Sequence, residues 1–347
     1  MLTEFGPRVD SPAGISSIDC STSWQQQLKE AVRSVPELLR LVNLSQDPIA
    51  SRVDESPHFP LRVPLSYIRR MTPGDANDPL LLQVLPLSVE RQPAQGYIDD
   101  PLQEQHHNPV PGLVHKYPGR ALLITTQACA VHCRYCFRQH FPYADNRLTA
   151  RQWQPALDYL RQRPDIHEII LSGGDPLSLD NKALSELITA LEQIPHLTTL
   201  RLHSRTPIVL PARVDEGLVA LLTQTRLKTV LVLHANHARE IDKELHPALT
   251  ALRTSGTVLL NQAVFLKGIN DQVDTLTELS HALFDQGVLP YYLHVLDPVA
   301  RAAHFDTADD KARLIWQQLQ SRLPGYLLPR LVREVPGDDH KRWINEA

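Results

Sequence analysis

Residues 120–136 read RALLITTQACAVHCRYC and residues 168–193 read EIILSGGDPLSLDNKALSELITALEQ. The first is a short apolar, β-branched run that breaks into a cysteine-bearing loop. The second is a similar run that breaks into Ser172-Gly173-Gly174-Asp175 and then into an amphipathic segment. Strand, polar loop and helix in that order make a βα unit, and from Arg120 onward the rhythm recurs roughly every 30 residues. Candidate strands are ALLITT (121–126), EIILS (168–172), TLRLHS (199–204), TVLVLHA (229–235), TVLLNQAVFL (257–266) and YYLHVL (291–296). Candidate helices fall near 149–162, 180–193, 213–224, 240–254, 272–285 and 307–321. Six consecutive units require right-handed crossovers and a mainly parallel sheet, either open and doubly wound or an incomplete barrel. Both architectures put chemistry at the C-terminal ends of the strands. Polar residues gather there: Cys129 to Cys136 after the first strand, Ser172 to Asp175 after the second, His203-Ser204-Arg205 after the third, His234-Ala235-Asn236 after the fourth and Asp297 after the sixth.

Outward from this segment the chain is less regular. Residues 1–21 are rich in Ser, Pro and Gly and read as a frayed terminus. A hydroxyl at Thr22 or Ser23 caps a short helix, and Pro36 begins a second. Residues 45–110 are punctuated by proline, so 1–115 is taken as an N-terminal extension, 116–325 as the βα body and 326–347 as a C-terminal segment. The 347 residues carry 35 Lys+Arg and 39 Asp+Glu, a formal charge of −4, which supplies no basic footprint for nucleic acid or an anionic membrane. The opening MLTEFGPRVD has neither a basic nor an apolar leader region, and no apolar run nears membrane-span length, so a cytoplasmic protein is expected.

Four cysteines in a chain of this length are no disulfide framework. Cys20 stands alone, whereas Cys129, Cys133 and Cys136 share one loop with three and then two residues between them. Their thiolates can converge on one metal centre with a coordination position to spare. A structural zinc site closes with four protein ligands, and the fourth here would be His132 or something distant. A [4Fe–4S] cluster on three cysteines instead leaves one iron open to an amino and carboxylate chelator. A zinc-binding interaction module is therefore the non-enzymatic alternative.

The spacing, with Tyr135 before the last cysteine, resembles the signature of the radical S-adenosylmethionine (radical SAM) enzymes. That resemblance implies an incomplete (β/α)6 barrel and a cluster that cleaves S-adenosylmethionine to a 5′-deoxyadenosyl radical. It also gives Gly173, Gly174 and Asp175 a role in holding the methionine end of that cofactor. The blocks YPGRALLITT (117–126), CAVHCRYCFRQHF (129–141), SGGDPL (172–177), HSRTPIVLPAR (203–213), LNQAVFLKGIND (260–271) and PYYLHVLD (290–297) together resemble the lysine 2,3-aminomutase family across roughly residues 60–341. Members use pyridoxal phosphate beside S-adenosylmethionine and move the amino group of L-lysine from the α- to the β-carbon.

The resemblance then assigns residues. Lys341, after Val335-Pro336-Gly337, matches the lysine that forms the aldimine with pyridoxal phosphate; without the resemblance it would read as an ordinary solvated lysine. Arg138 matches the arginine that pairs with the substrate carboxylate, and Asp297 and Glu334 the acids around its distant ammonium. Lys116, Arg120 and Arg205 are candidates for the cofactor phosphate, and Gln262 could face the cofactors. His106, His107 and His304 read as surface or packing residues. Within the family the PYYLHVLD and HSR blocks are most like the members that supply (R)-β-lysine for modification of elongation factor P, where a lysyl-tRNA-synthetase-like ligase uses the product. An external reductant is implied. The alternatives are an aminomutase of general β-lysine metabolism and a radical SAM enzyme that works without pyridoxal phosphate.

Overall fold

In a computed structural model the described residues are 22–140 and 153–344. Each candidate strand forms, because a run of β-branched and apolar residues gives way to a more polar segment at its C-terminal end. The strands are β1 (Leu113–Tyr117), β2 (Arg120–Thr126), β3 (Glu168–Gly173), β4 (Thr199–Ser204), β5 (Lys228–Leu233), β6 (Val258–Phe265), β7 (Leu289–Val295), β8 (Arg330–Arg333) and β9 (Arg342–Trp343). They form one sheet in strictly sequential order, parallel from β2 through β8, with β1 antiparallel on β2 and β9 antiparallel on β8. Among the described residues β1 and β9 do not pair, so the sheet is an incomplete barrel with two edges.

The crossover helices are Gln154–Arg161, Asn181–Glu192, Glu216–Gln224, His246–Thr254, Val273–Asp285 and Asp309–Gln320. Asp180 and Asp215 begin two of them by accepting hydrogen bonds from Ala183 N and Leu218 N. The fourth starts later than its periodicity predicts, because Pro247 suits a first helical turn and residues 238–240 are a separate 3-10 turn. The expected helix from 149 lies partly outside the described residues, as do Cys20 and the terminal stretch expected to fray.

Strand alternation splits the side chains into two populations. On β4, Leu200 and Leu202 pack outward on the helices while Arg201 and His203 face the interior cavity. On β3, Ile169 and Leu171 face outward and Glu168, Ile170 and Ser172 inward; on β6, Leu259, Ala263 and Phe265 oppose Leu260, Gln262 and Val264. The period that makes the sheet thus also delivers polar groups to its interior.

Two features were not legible as elements. The parallel strand β8 has only four residues, RLVR, and lies with β9 in the 326–347 segment; β1 begins at Leu113. The N-terminal extension, made of short turns, builds a second core around Leu38, Val42, Tyr67, Met71, Leu80 and Leu85, which also takes in Ala130, Val131, Val209 and Leu210. It is packed onto the cysteine loop itself.

Leu171, fully buried on β3, should cost about 2–5 kcal/mol when changed to alanine. Exposed Leu314 should cost less than about 0.5 kcal/mol. Urea unfolding of the two variants checks this ranking.

Candidate active site

The C-terminal rim of the sheet opens onto a cavity of about 550 Å³, a volume suited to small organic ligands. Cys129, Cys133 and Cys136 line it, and the loop carrying them is clamped from two sides. On the sheet side, Gly174 N donates to Thr126 O (2.7 Å) and Asp175 N to Ala128 O (2.8 Å). These bonds need backbones so close that a Cβ on Gly174 would lie 2.5 Å from Ala128 O; Gly173, at φ +119°, would bring one within 2.7 Å of Thr126 O. On the extension side, buried Arg134 pairs with Glu90 and donates to Phe59 O (2.6 Å), while Arg134 N bonds Gln83 O (2.9 Å).

His132 is turned away from the thiols. Its Nδ1 lies 2.7 Å from Pro60 O and its ring stacks on Phe59 at 4.5 Å. The donor set on this wall is therefore three soft thiols without a neighbouring fourth ligand, which suits an iron–sulfur cluster rather than a closed zinc site. Among the described residues no group of His, Cys, Asp or Glu is gathered as a single ion would require. Burial pushes the Cys136 thiol up to about 12 and Cys129 well above its ordinary value, a cost that a bound metal centre reverses by stabilising thiolate.

Asp175 is engaged with the neighbouring strand end. Oδ1 accepts from Ser204 Oγ (2.7 Å) and Leu177 N (3.0 Å), and Oδ2 from Arg205 N (2.8 Å) and Thr206 N (2.9 Å). The carboxylate thus fixes the loop after β4, a role its sequence position did not disclose. Arg138 is gripped in fork fashion by Glu104 (2.8 and 2.7 Å) and donates to Ser172 Oγ (2.9 Å). Glu104 belongs to the extension, and its contact with this arginine had no local sequence signal.

Elsewhere on the cavity wall, Glu334 follows β8 and accepts from two ammonium groups, Lys341 Nζ at 2.6 Å and Lys116 Nζ at 3.1 Å. Because Lys116 belongs to β1, this ion pair bridges the two unpaired sheet edges. Burial alone would raise the Glu334 pKa, but Lys341 and Lys116 override it and hold the carboxyl well below the usual range. For Asp297 the same lysines are outweighed: burial, reinforced by the Glu334 charge, pushes it up to about 7. Arg120 stacks on Tyr117 at 4.5 Å, and Gln262 lines the cavity from β6.

Arg205, considered for a phosphate, sits instead at the cysteine end. Its terminal nitrogens donate to Cys133 Sγ (2.7 Å), Tyr135 Oη, Tyr67 Oη (3.1 Å), Gln83 Oε1 (2.8 Å) and Glu240 Oε2 (2.9 Å). Its terminal N–H groups are already engaged.

The sequence placed His203 and His234 among the polar strand ends, but it gave neither a role and did not single out His294. His203, His234 and His294 line the cavity with Nε2 atoms that have no protein partner, and the first two rings meet edge-on at 5.9 Å. Burial lowers all three, His234 to about 3, so they remain neutral. Strand alternation was the available signal, since His203 shares the inward face of β4 with Arg201 and His294 lies on β7.

A family model described as the radical SAM superfamily matches residues 123–232. The L-lysine 2,3-aminomutase of Escherichia coli (strain K12) is 50% identical over 319 residues, covering 92% of this chain and 93% of that one. The L-lysine 2,3-aminomutase of Haemophilus influenzae (strain ATCC 51907 / DSM 11121 / KW20 / Rd) is 44% identical over 324 residues, covering 93% and 96%. That of Buchnera aphidicola subsp. Baizongia pistaciae (strain Bp) is 41% identical over 323 residues, covering 93% and 95%.

The raised Asp297 gives a stability test. Its proton is held more tightly folded than unfolded, so its contribution is whole below about pH 4 and is lost as pH rises through about 7. Asp297→Asn, which cannot ionise, should therefore gain on the parent between pH 4 and pH 8 by up to about 4 kcal/mol. Urea denaturation across that range reads the difference; an offset independent of pH would contradict the assignment.

Proposed function

The chain belongs to the L-lysine 2,3-aminomutase family of radical SAM enzymes, and from that premise we propose that it isomerises L-α-lysine to (R)-β-lysine with the help of a [4Fe–4S] cluster, S-adenosylmethionine and pyridoxal phosphate. The observation that carries the reading is the meeting of three thiols with Lys341, Glu334 and Asp297 in the lining of one cavity. When bound, the three groups supply an organic radical that removes a hydrogen atom and a carbonyl through which an amino group can pass between adjacent carbons.

In this reading Cys129, Cys133 and Cys136 hold the cluster, and the edge from Ser172 to Asp175 takes the methionine end of S-adenosylmethionine beside it. Gln262 faces both cofactors. Lys341 anchors pyridoxal phosphate, with Lys116 and Arg120 toward the phosphate. Arg138 orients the substrate carboxylate and is itself held in place by Glu104. Asp297 and Glu334 receive the distant ammonium. A carboxyl poised at about 7 gives up its proton readily when a cation is seated against it, so Asp297 rewards a substrate with a second ammonium and penalises a neutral side chain. The neutral histidines line the cavity without adding competing charge.

The PYYLHVLD and HSR blocks favour elongation factor P modification as the destination of the product, through a lysyl-tRNA-synthetase-like ligase, with an external one-electron donor serving the cluster. Surface charge gives no reason to invoke nucleic acid. No helix among the described residues is long and apolar enough to cross a membrane. Three reduced thiols suit a reducing compartment, and we place the enzyme in the cytoplasm.

Anaerobically reconstituted protein given L-α-lysine, S-adenosylmethionine, pyridoxal phosphate and a strong reductant should yield β-lysine by chiral chromatography. Lys341→Ala should lose both the product and the visible absorbance of bound pyridoxal phosphate while keeping its iron. Absorbance retained in that variant would move the anchor elsewhere. In cells lacking the protein, elongation factor P should lose the mass of one β-lysyl group; unchanged mass would point to general β-lysine metabolism.

A further inference from the structure

Arg205 is a cation placed where a cation is costly, and something must be gained by it. The guanidinium is fully enclosed, with 6% of its side chain exposed, and Glu240 opposite it has none. Its main-chain N–H is fixed by Asp175, and Glu240 is in turn held by Asn236 N (2.8 Å) and His237 N (3.1 Å). One terminal nitrogen points along this frame to Cys133 Sγ at 2.7 Å and to the hydroxyl of Tyr135, the aromatic residue of the cysteine motif. The other is spent on Tyr67, Gln83 and Glu240. Tyr135 is further braced by Asn236 Nδ2 at 2.6 Å. A side chain held by five residues cannot swing to follow a substrate; it can only present a constant field to the sulfur.

We propose that Arg205 is a positioning residue that sets the reduction potential of the iron–sulfur cluster, acting through its hydrogen bond to the Cys133 sulfur. This rests on the reading that the three cysteines carry the cluster. One-electron reduction adds negative charge to the cluster and its thiolates. A guanidinium donating to one of those sulfurs favours the reduced form, and burial keeps solvent from screening it. Glu240 offsets part of that charge, so the two side chains pull in opposite directions. The arrangement makes a strongly reducing centre easier for an external donor to charge.

The experiment is a redox titration of the reconstituted holoenzyme, followed by electron paramagnetic resonance, on the parent, Arg205→Gln, Arg205→Lys and Glu240→Gln, each with iron content measured. At the potential where half the parent clusters are reduced, the reduced-to-oxidised ratio of Arg205→Gln should fall about tenfold, equivalent to about 59 mV for one electron. Arg205→Lys, which keeps the charge, should recover much of the loss, and Glu240→Gln should shift the ratio upward. Unchanged ratios in loaded Arg205→Gln, or shifts of the same sign in the Arg205 and Glu240 variants, would overturn the proposal. If Arg205→Gln fails to load iron, Arg205→Lys and Glu240→Gln decide it alone by the sign of their shifts. A parent protein that binds no reducible cluster would sink the underlying cofactor reading instead, a different result from a parent that titrates normally beside an unshifted variant.

Discussion

A loop that must deliver three thiols to one place cannot rely on its own short backbone, and the close approach of Gly173-Gly174 to residues 126–128 supplies the missing rigidity. The two main-chain bonds across that contact register the cysteine loop against β3, and only residues without a Cβ permit them. Asp175 carries the same constraint to β4 by capping Ser204, Arg205 and Thr206. Three strand ends are thereby locked into one rigid rim. The extension completes the clamp from outside through Arg134 and Glu90, a pair whose burial is worthwhile because both charges are answered.

The remainder of the site follows from the sheet. Parallel strands with helices on their outer face leave an interior that need not be apolar, and alternation fills it with Arg201, His203, Gln262 and their neighbours. Enclosure then does electrostatic work. It drives Asp297 toward neutrality, keeps the histidines uncharged and leaves Glu334 ionised only because two lysines flank it. A cavity with these properties discriminates by charge as much as by shape.

Much of this was legible in the sequence, and for identifiable reasons. The six long strands announced themselves because both β-branched content and turn residues agreed, and the cysteine spacing is local, so it survives without knowledge of the fold. The seventh parallel strand escaped because RLVR is too short to show a period. Glu104, Glu90 and Gln83 escaped because their partners lie in the βα body, and nothing in a proline-punctuated extension marks which of its acids will be buried. Arg205 was noticed for its place after a strand, yet its orientation depends on Glu240 and Gln83, elements far apart in the chain. The expectation for Lys341 rests on resemblance alone; its neighbourhood reads as an ordinary tail until β8 and β9 bring it to the cavity.

The bridge between Lys116 and Glu334 spans the only arc of the wall where neighbouring strands share no amide ladder among the described residues. Everywhere else the circumference is stitched by main-chain hydrogen bonds that no solute can replace. Here it is closed by a largely buried charge contact that a charged ligand in the cavity can compete for, so the seam is held by its contents as well as by the chain. That seam also carries Lys341, which puts the amine where the wall is closed by charge and the thiols where it is closed by main-chain bonds.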